Sequence, residues 1–136
     1  GEPFDADWVS AAGLTVRRDV FDAAGRFDET YYYWHEAVFC ARVVARGHRV
    51  VLDPGAKIIH YEGHGSGKRG YDARRWHVRD FHAGAYRAYV EEIKAPAGPA
   101  VRAMAWTLLQ SRKALLLGLI YVAEAAEGAR RRFASR

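Results

Sequence analysis

The 136-residue chain has a single cysteine, Cys40, so no disulfide within the chain can form, and a reducing compartment or a buried thiol is the simple expectation. No apolar run reaches the length that crosses a bilayer; the longest, Ala114 to Ala123, is about half of it. The first residues, GEPFDAD, have neither a basic segment nor an apolar one, which speaks against a secretory leader and for a cytoplasmic location. There is no long polar tract, internal repeat, heptad run or low-complexity segment. Two catalytic signatures are approached and missed. His35-Glu36 would begin a zinc-protease HExxH, but Phe39 stands where the second histidine belongs. Gly63 to Lys68 is one residue short of a Walker loop, and Arg69 replaces its hydroxyl residue.

What is present suits one globular domain: 50% hydrophobic and 27% charged residues, enough apolar side chains for a core at this length. The net charge of +5 is concentrated in Lys68 to Arg79 and in Arg130, Arg131, Arg132 and Arg136. Such clusters fit phosphates, anionic lipid or nucleic acid. A nucleic-acid role for Arg69, Arg74, Arg75 and Arg79 has only charge behind it.

Along the chain, Trp8 to Val16 reads as a strand, and Arg17-Arg18-Asp19 opens a short helix that closes at Gly25. Ala37, Phe39, Cys40, Val43 and Val44 recur at helical spacing, predicting a helix over Glu36 to Ala45 with Gly47 as its left-handed cap. His48 to Leu52 and Ala56 to His60 read as strands around the turn Asp53-Pro54-Gly55. The glycines at 63, 65, 67 and 70 exclude regular structure in the loop that follows. Arg74 to Lys94 is helical in spacing, and a last helix begins at Pro99 with Gly128 near its exit. The expected class is α/β, with short strands and helices in residues 1–70 and a helical tail in 71–136.

The stretch YYYWHE, residues 31–36, carries the most chemistry. A carboxylate in a helix's first turn is stabilised by the helix dipole, and the same position can hold a general base at the edge of a cleft. Tyr31, Tyr32, Tyr33 and Trp34 suit either a sugar-binding wall or a packed aromatic cluster. His60 fits a structural or a metal- or phosphate-binding role, and Ser66, Lys68 and Arg69 give the glycine loop the means to close on a diphosphate. The last helix, with Met104, Trp106, Leu108, Leu109 and Tyr121, suits a membrane surface or a dimer interface equally.

Taken in order, WVSAAGLTVRRDVFDAAGRFDE, YYYWHEAVFC, HRVVLDPGAKIIH and YEGHGSGK resemble the second half of family 2 inverting glycosyltransferases, in the branch with bacterial rhamnosyltransferases. The resemblance runs from about Trp8 to Lys68. It implies a partial GT-A-like fold that transfers a sugar from a nucleotide-sugar to a hydroxyl acceptor, a glycan or a lipid-linked one, in cell-envelope polysaccharide synthesis. It places Glu36, with His35 beside it, at the catalytic-base position. By the same likeness His60, Ser66, Lys68 and Arg69 serve the donor diphosphate, with His60 also at a divalent metal, Mg²⁺ or Mn²⁺. Trp8, Tyr33 and Trp34 border the acceptor.

His35 and Val38 stand where the family has acidic residues, Glu36 where it has Asp, Arg26 where it has the second Gly before Phe27-Asp28, and Ala11 where Gly follows the Ser. The family's donor half, with its Asp-x-Asp, has no counterpart here; Asp5-Ala6-Asp7 precedes the wrong strand. A homo-oligomer or a separate N-terminal half, and residence at the inner face of the cytoplasmic membrane, follow as expectations. A non-catalytic docking module derived from such an enzyme is the alternative.

Overall fold

In the computed structural model, residues 1–61, 70–93 and 98–134 are described. Helices dominate: α1 (Arg18–Ala23), α2 (His35–Val44), α3 (Gly70–Ala88), continued by a π turn over Tyr89–Ile93, and α4 (Pro99–Ala134). The strands β1 (Phe4–Asp5) and β2 (Val51–Leu52) form one short antiparallel ladder, Phe4 opposite Leu52 and Asp5 opposite Val51.

α2 forms the centre because apolar side chains point from it to two sides. Towards α1 it offers Phe39, Cys40 and Val43, which bury with Val20, Ala24 and Val50 while Val9, Leu14, Val16, Phe21 and Phe27 close around them. The Phe21, Phe27 and Phe39 rings meet at 5.2–5.4 Å between centroids, within the range of favourable edge and tilted contacts. Towards α3 it offers Val38, which packs with Tyr31, Trp34 and Ala88. Cys40 is buried and free, and burial raises its thiol pKa, so it behaves as a small apolar core residue. As the spacing predicts, Gly47 turns the chain out of α2 at φ 80°.

Three expectations are corrected. Trp8 to Val16 is not a strand. Ala11–Gly13 forms a 3-10 turn in which Ser10 Oγ accepts the Ala12 N–H at 3.3 Å, because three small residues without β-branching offer little to a ladder and the hydroxyl supplies a local bond instead. Ala56 to His60 is not a strand either. Ile58 and Ile59 are exposed and have no neighbouring strand among the described residues, so β propensity there finds no ladder to join. Gly128 does not end the last helix, which runs on to Ala134; a glycine inside a helix lowers its stability by about 1 kcal/mol and does not by itself break it. In addition, α3 starts at Gly70, four residues before the predicted Arg74; Lys94 lies outside the described residues. Helices with two short strands are consistent with an α/β fragment.

α3 and α4 run antiparallel. Tyr71 Oη donates to Glu127 at 2.7 Å, Arg75 pairs with Glu124, and farther along Arg112 Nη1 donates to Nε2 of the fully buried His82 at 2.9 Å. His82 Nδ1 donates to the Val78 carbonyl at 2.6 Å, so both ring nitrogens are satisfied. Arg75 and Arg79, which charge alone offers to nucleic acid, are engaged with α4: Arg75 with Glu124, and Arg79 with the Tyr121 hydroxyl at 3.4 Å.

Arg26 holds a left-handed conformation at φ 61°, a region that disfavours side chains with a Cβ. Its exposed ion pair with Asp22 offsets little of that strain. Arg26→Gly is expected to stabilise the fold by up to about 1 kcal/mol, read as a higher midpoint in urea unfolding. A lower midpoint would show that the ion pair outweighs the strain.

Candidate functional site

The start of α2 is set by the aromatic run before it. Trp34 occupies the cap position in a left-handed conformation, φ 75°, and its indole Nε1 donates to the Phe81 carbonyl at 3.0 Å. Strain of this kind persists only where packing fixes the residue. Here α3 supplies the packing: Phe81 lies 5.0 Å from Trp34 and 5.7 Å from Tyr33, and Trp76 lies 4.7 Å from Tyr32. Tyr33 Oη and His77 Nδ1 share a hydrogen bond of 2.6 Å. Close approach is possible because position 84 is glycine; a Cβ there would sit 3.1 Å from the Trp34 ring. The aromatic run is therefore in large part a seam between α2 and α3.

On the solvent side of that seam lies a cleft of ≈530 Å³. The 3-10 turn (Ser10, Ala11, Ala12) forms one wall, Phe27 to Glu29 another, and Tyr33, His35, Glu36 and His60 complete it. Tyr33, His35, Glu36 and His60, separated by up to 27 positions, are thus brought together. Glu36 keeps 19% of its side chain exposed, yet its Oε2 is buried with no hydrogen-bond partner. The nearest cationic candidate is His35, whose Nδ1 lies 3.4 Å away but already bonds the Tyr32 carbonyl at 3.1 Å. The exposed part of the Glu36 side chain is what a molecule in the cleft can reach, and a carboxylate in that place can take a proton from it.

Trp8 and Trp34 do not join this cleft. They line a separate groove of ≈860 Å³ with Asp7, Ala41, Val44 and His48, on another side of α2. Trp8 is half exposed there, whereas Trp34 is held by α3. Ser66, Lys68 and Arg69 lie outside the described residues. Among the described residues no group of three or more His, Cys, Asp or Glu side chains is arranged to hold a metal ion.

Sequence reading missed the ionic floor below the cleft. Asp28 Oδ1 accepts the Thr30 N–H at 3.0 Å and the Thr30 hydroxyl at 2.5 Å. Its other oxygen faces Arg87 at 3.3 Å and Arg42 at 3.6 Å, and Arg42 also donates to both oxygens of Glu92. Arg87 in turn covers the Tyr31 ring at 3.6 Å. The only signal was GRFDET, which reads as a turn; partners 50 to 59 positions away leave no local trace.

Hydrogen bonds from Thr30, with Arg87 and Arg42 nearby, hold the Asp28 carboxyl below its ordinary value of 3.8. Arg42 likewise holds Glu92 below 4.5. Both groups therefore stabilise the folded chain above about pH 4.5, and that contribution is lost as pH falls through their lowered values. Arg42→Met is expected to remove roughly 1–3 kcal/mol at neutral pH and to flatten the acid limb, as read by urea unfolding at a series of pH values. An unchanged limb would assign acid sensitivity to other groups.

The fold and site together define a helical fragment carrying a carboxylate-bearing, aromatic-walled cleft. Over 62 residues, 45% of its length, the chain is 36% identical to N-acetylglucosaminyl-diphospho-decaprenol L-rhamnosyltransferase of Mycobacterium tuberculosis, in strains CDC 1551 / Oshkosh and ATCC 25618 / H37Rv alike. The match covers 20% of those proteins, so the chain corresponds to a small part of them. No protein-family model matches, and no solved structure does. The partial likeness is to a transferase of the glycosyltransferase type.

Proposed function

We propose that this chain is the acceptor side of a family 2, GT-A-like inverting glycosyltransferase. The observation that carries the reading is the partly exposed Glu36 side chain at a cleft that also holds Tyr33, His35 and His60. Glu36 takes the proton of an acceptor hydroxyl as the oxygen attacks the anomeric carbon of a nucleotide-sugar. The bond to the diphosphate breaks in the same step, and the nucleoside diphosphate leaves with the electron pair. Tyr33 faces the acceptor from the cleft, and Trp8 from the neighbouring groove. His60, with Ser66, Lys68 and Arg69, attends the diphosphate. Mg²⁺ or Mn²⁺ would accompany the donor with ligands beyond the described residues, and no step is routed through it. By analogy with the names of its partial relatives, the acceptor is a lipid-linked glycan at the inner face of the cytoplasmic membrane.

A second reading, a docking module without its own turnover, draws on the exposed Phe4, Val51, Ile58 and Ile59, an apolar set that a donor-binding polypeptide or a second copy would cover. Calorimetric titration with nucleoside-diphosphate sugars and Mg²⁺ or Mn²⁺ separates the two. Micromolar binding supports a donor site completed within this chain. Absence of heat with a folded sample, together with no transfer after addition of a donor-binding half, overturns the catalytic reading.

A further inference from the structure

Besides the cleft and the groove, a smaller pocket of ≈230 Å³ lies where α3 and α4 meet the aromatic run. Val78, Phe81 and Leu116 give it apolar walls, and the Tyr33 ring closes one side. Its polar groups are the Arg112 guanidinium and the imidazoles of His77 and His82. Sites that enclose a whole small molecule measure about 300–1,000 Å³, so this pocket has room for the end group of a ligand.

Arg112 is fixed there without being neutralised. Its Nη1 donates to His82 Nε2 at 2.9 Å, and its guanidinium carbon stands 5.7 Å from the centre of the Phe81 ring. His82 is 1% exposed and gives its Nδ1–H to the Val78 carbonyl, which leaves Nε2 as an acceptor of fixed direction. A neutral imidazole orients a guanidinium but cancels none of its charge. Arg75, on the same helix pair, spends its charge on Glu124, whereas Arg112 has no Asp or Glu at ion-pair distance among the described residues. One of its five N–H donors is used, and the rest are available. A guanidinium held in this way is prepared for a carboxylate or a phosphate, which it meets through paired donors.

The Tyr33 side of the pocket limits the charge of the occupant. Tyr33 Oη and His77 Nδ1 share their hydrogen bond there. Burial raises the pKa of the Tyr33 hydroxyl, and the charges of Tyr32 and Asp80 add to the rise. The hydroxyl is therefore uncharged at neutral pH, and Asp80 opposes a second negative charge on a ligand. We propose that the pocket between α3 and α4 binds a singly charged oxyacid group, a carboxylate or a phosphodiester, on a short apolar stem. The anion meets Arg112, and the stem lies between Val78, Phe81 and Leu116. Tyr33 borders both this pocket and the cleft that holds Glu36, so the two are one side chain apart. The group bound here is then the anionic part of the molecule whose hydroxyl reaches Glu36; that purpose rests on the proposed function, and the binding itself does not.

The test is an NMR titration of the full chain at neutral pH with four probes: hexanoate, dibutyl phosphate, acetate and hexanol. Hexanoate or dibutyl phosphate should shift the ring signals of His77 and His82 and the Arg112 Nε–H in a saturable way, and the tighter of the two identifies the oxyacid. Acetate lacks the stem and hexanol the charge, so each should bind about tenfold or more weakly than that anion. Arg112→Gln keeps a donor for His82 and removes the charge. It should weaken anion binding about tenfold or more, with circular dichroism as the check that it is folded. The titration of the parent chain decides the matter even where this variant does not fold. Absence of shifts at the pocket with both anions overturns the proposal. So does hexanol binding as tight as that of hexanoate, or undiminished anion binding by folded Arg112→Gln. Anion binding at these residues in an assembled enzyme that transfers no sugar would count against the catalytic reading of Glu36 and support the pocket as a site in its own right.

Discussion

On the proposed acceptor-side reading, replacing Glu36 with glutamine is expected to lower sugar transfer by about 100- to 10,000-fold once a donor-binding half is supplied, the range associated with loss of a general base. Glutamine keeps the length and shape of the side chain but cannot accept the proton. Substrate affinity should therefore change little, and nucleoside-diphosphate release at saturating donor and acceptor is the proper readout. Glu36→Asp separates chemistry from structure. It restores the residue that the resembling family carries, with the carboxylate drawn back by about one methylene, and should retain measurable turnover although a displacement of about 1 Å can be costly. Normal turnover by Glu36→Gln would remove the base assignment and leave Glu36 as a carboxylate at a helix N-terminus.

The largest expected effect on stability is at Phe39. Its ring is 2% exposed and lies 5.3 Å from Phe21 and 5.2 Å from Phe27, at the point where α1, α2 and the turn after α1 meet. Phe39→Ala should cost roughly 3–5 kcal/mol, the transfer term plus the cavity left among rings that cannot collapse into it. Domains are stable by only about 5–15 kcal/mol, so the urea midpoint should fall by about a fifth or more. Phe39 is one turn from Glu36 on the same helix, and Phe27 also lines the cleft, so the variant should loosen the site as well as the core. A loss below about 1 kcal/mol would mean that this cluster is not the main core.

Much of this was legible locally. The spacing of Phe39, Cys40 and Val43 identified α2 and its buried face, Gly47 marked its exit, and the order of short motifs pointed to Glu36, His35, Tyr33 and His60, which do line one cleft. Periodicity reports a helix because the pattern and the hydrogen bonds that satisfy it lie within the same few residues. Strands were the weak point. Ala56 to His60 has the composition of a strand, but a strand exists only when another supplies its ladder, and none lies beside it among the described residues.

Sequence by itself determined the helices, the lack of any disulfide within the chain and the chemical character of the residues around the cleft. Tertiary structure alone decided that Tyr33 and Trp34 both pack on α3, with Tyr33 still bordering the cleft, and that Asp28 is held by Arg42 and Arg87 from distant positions. It also decided which side of α4 is covered. A helix that is apolar on two sides does not announce which of them will meet a neighbour. Here the choice was fixed by Glu124 and Glu127, whose partners Arg75 and Tyr71 lie 49 and 56 residues away on α3, leaving the other apolar stripe facing outward.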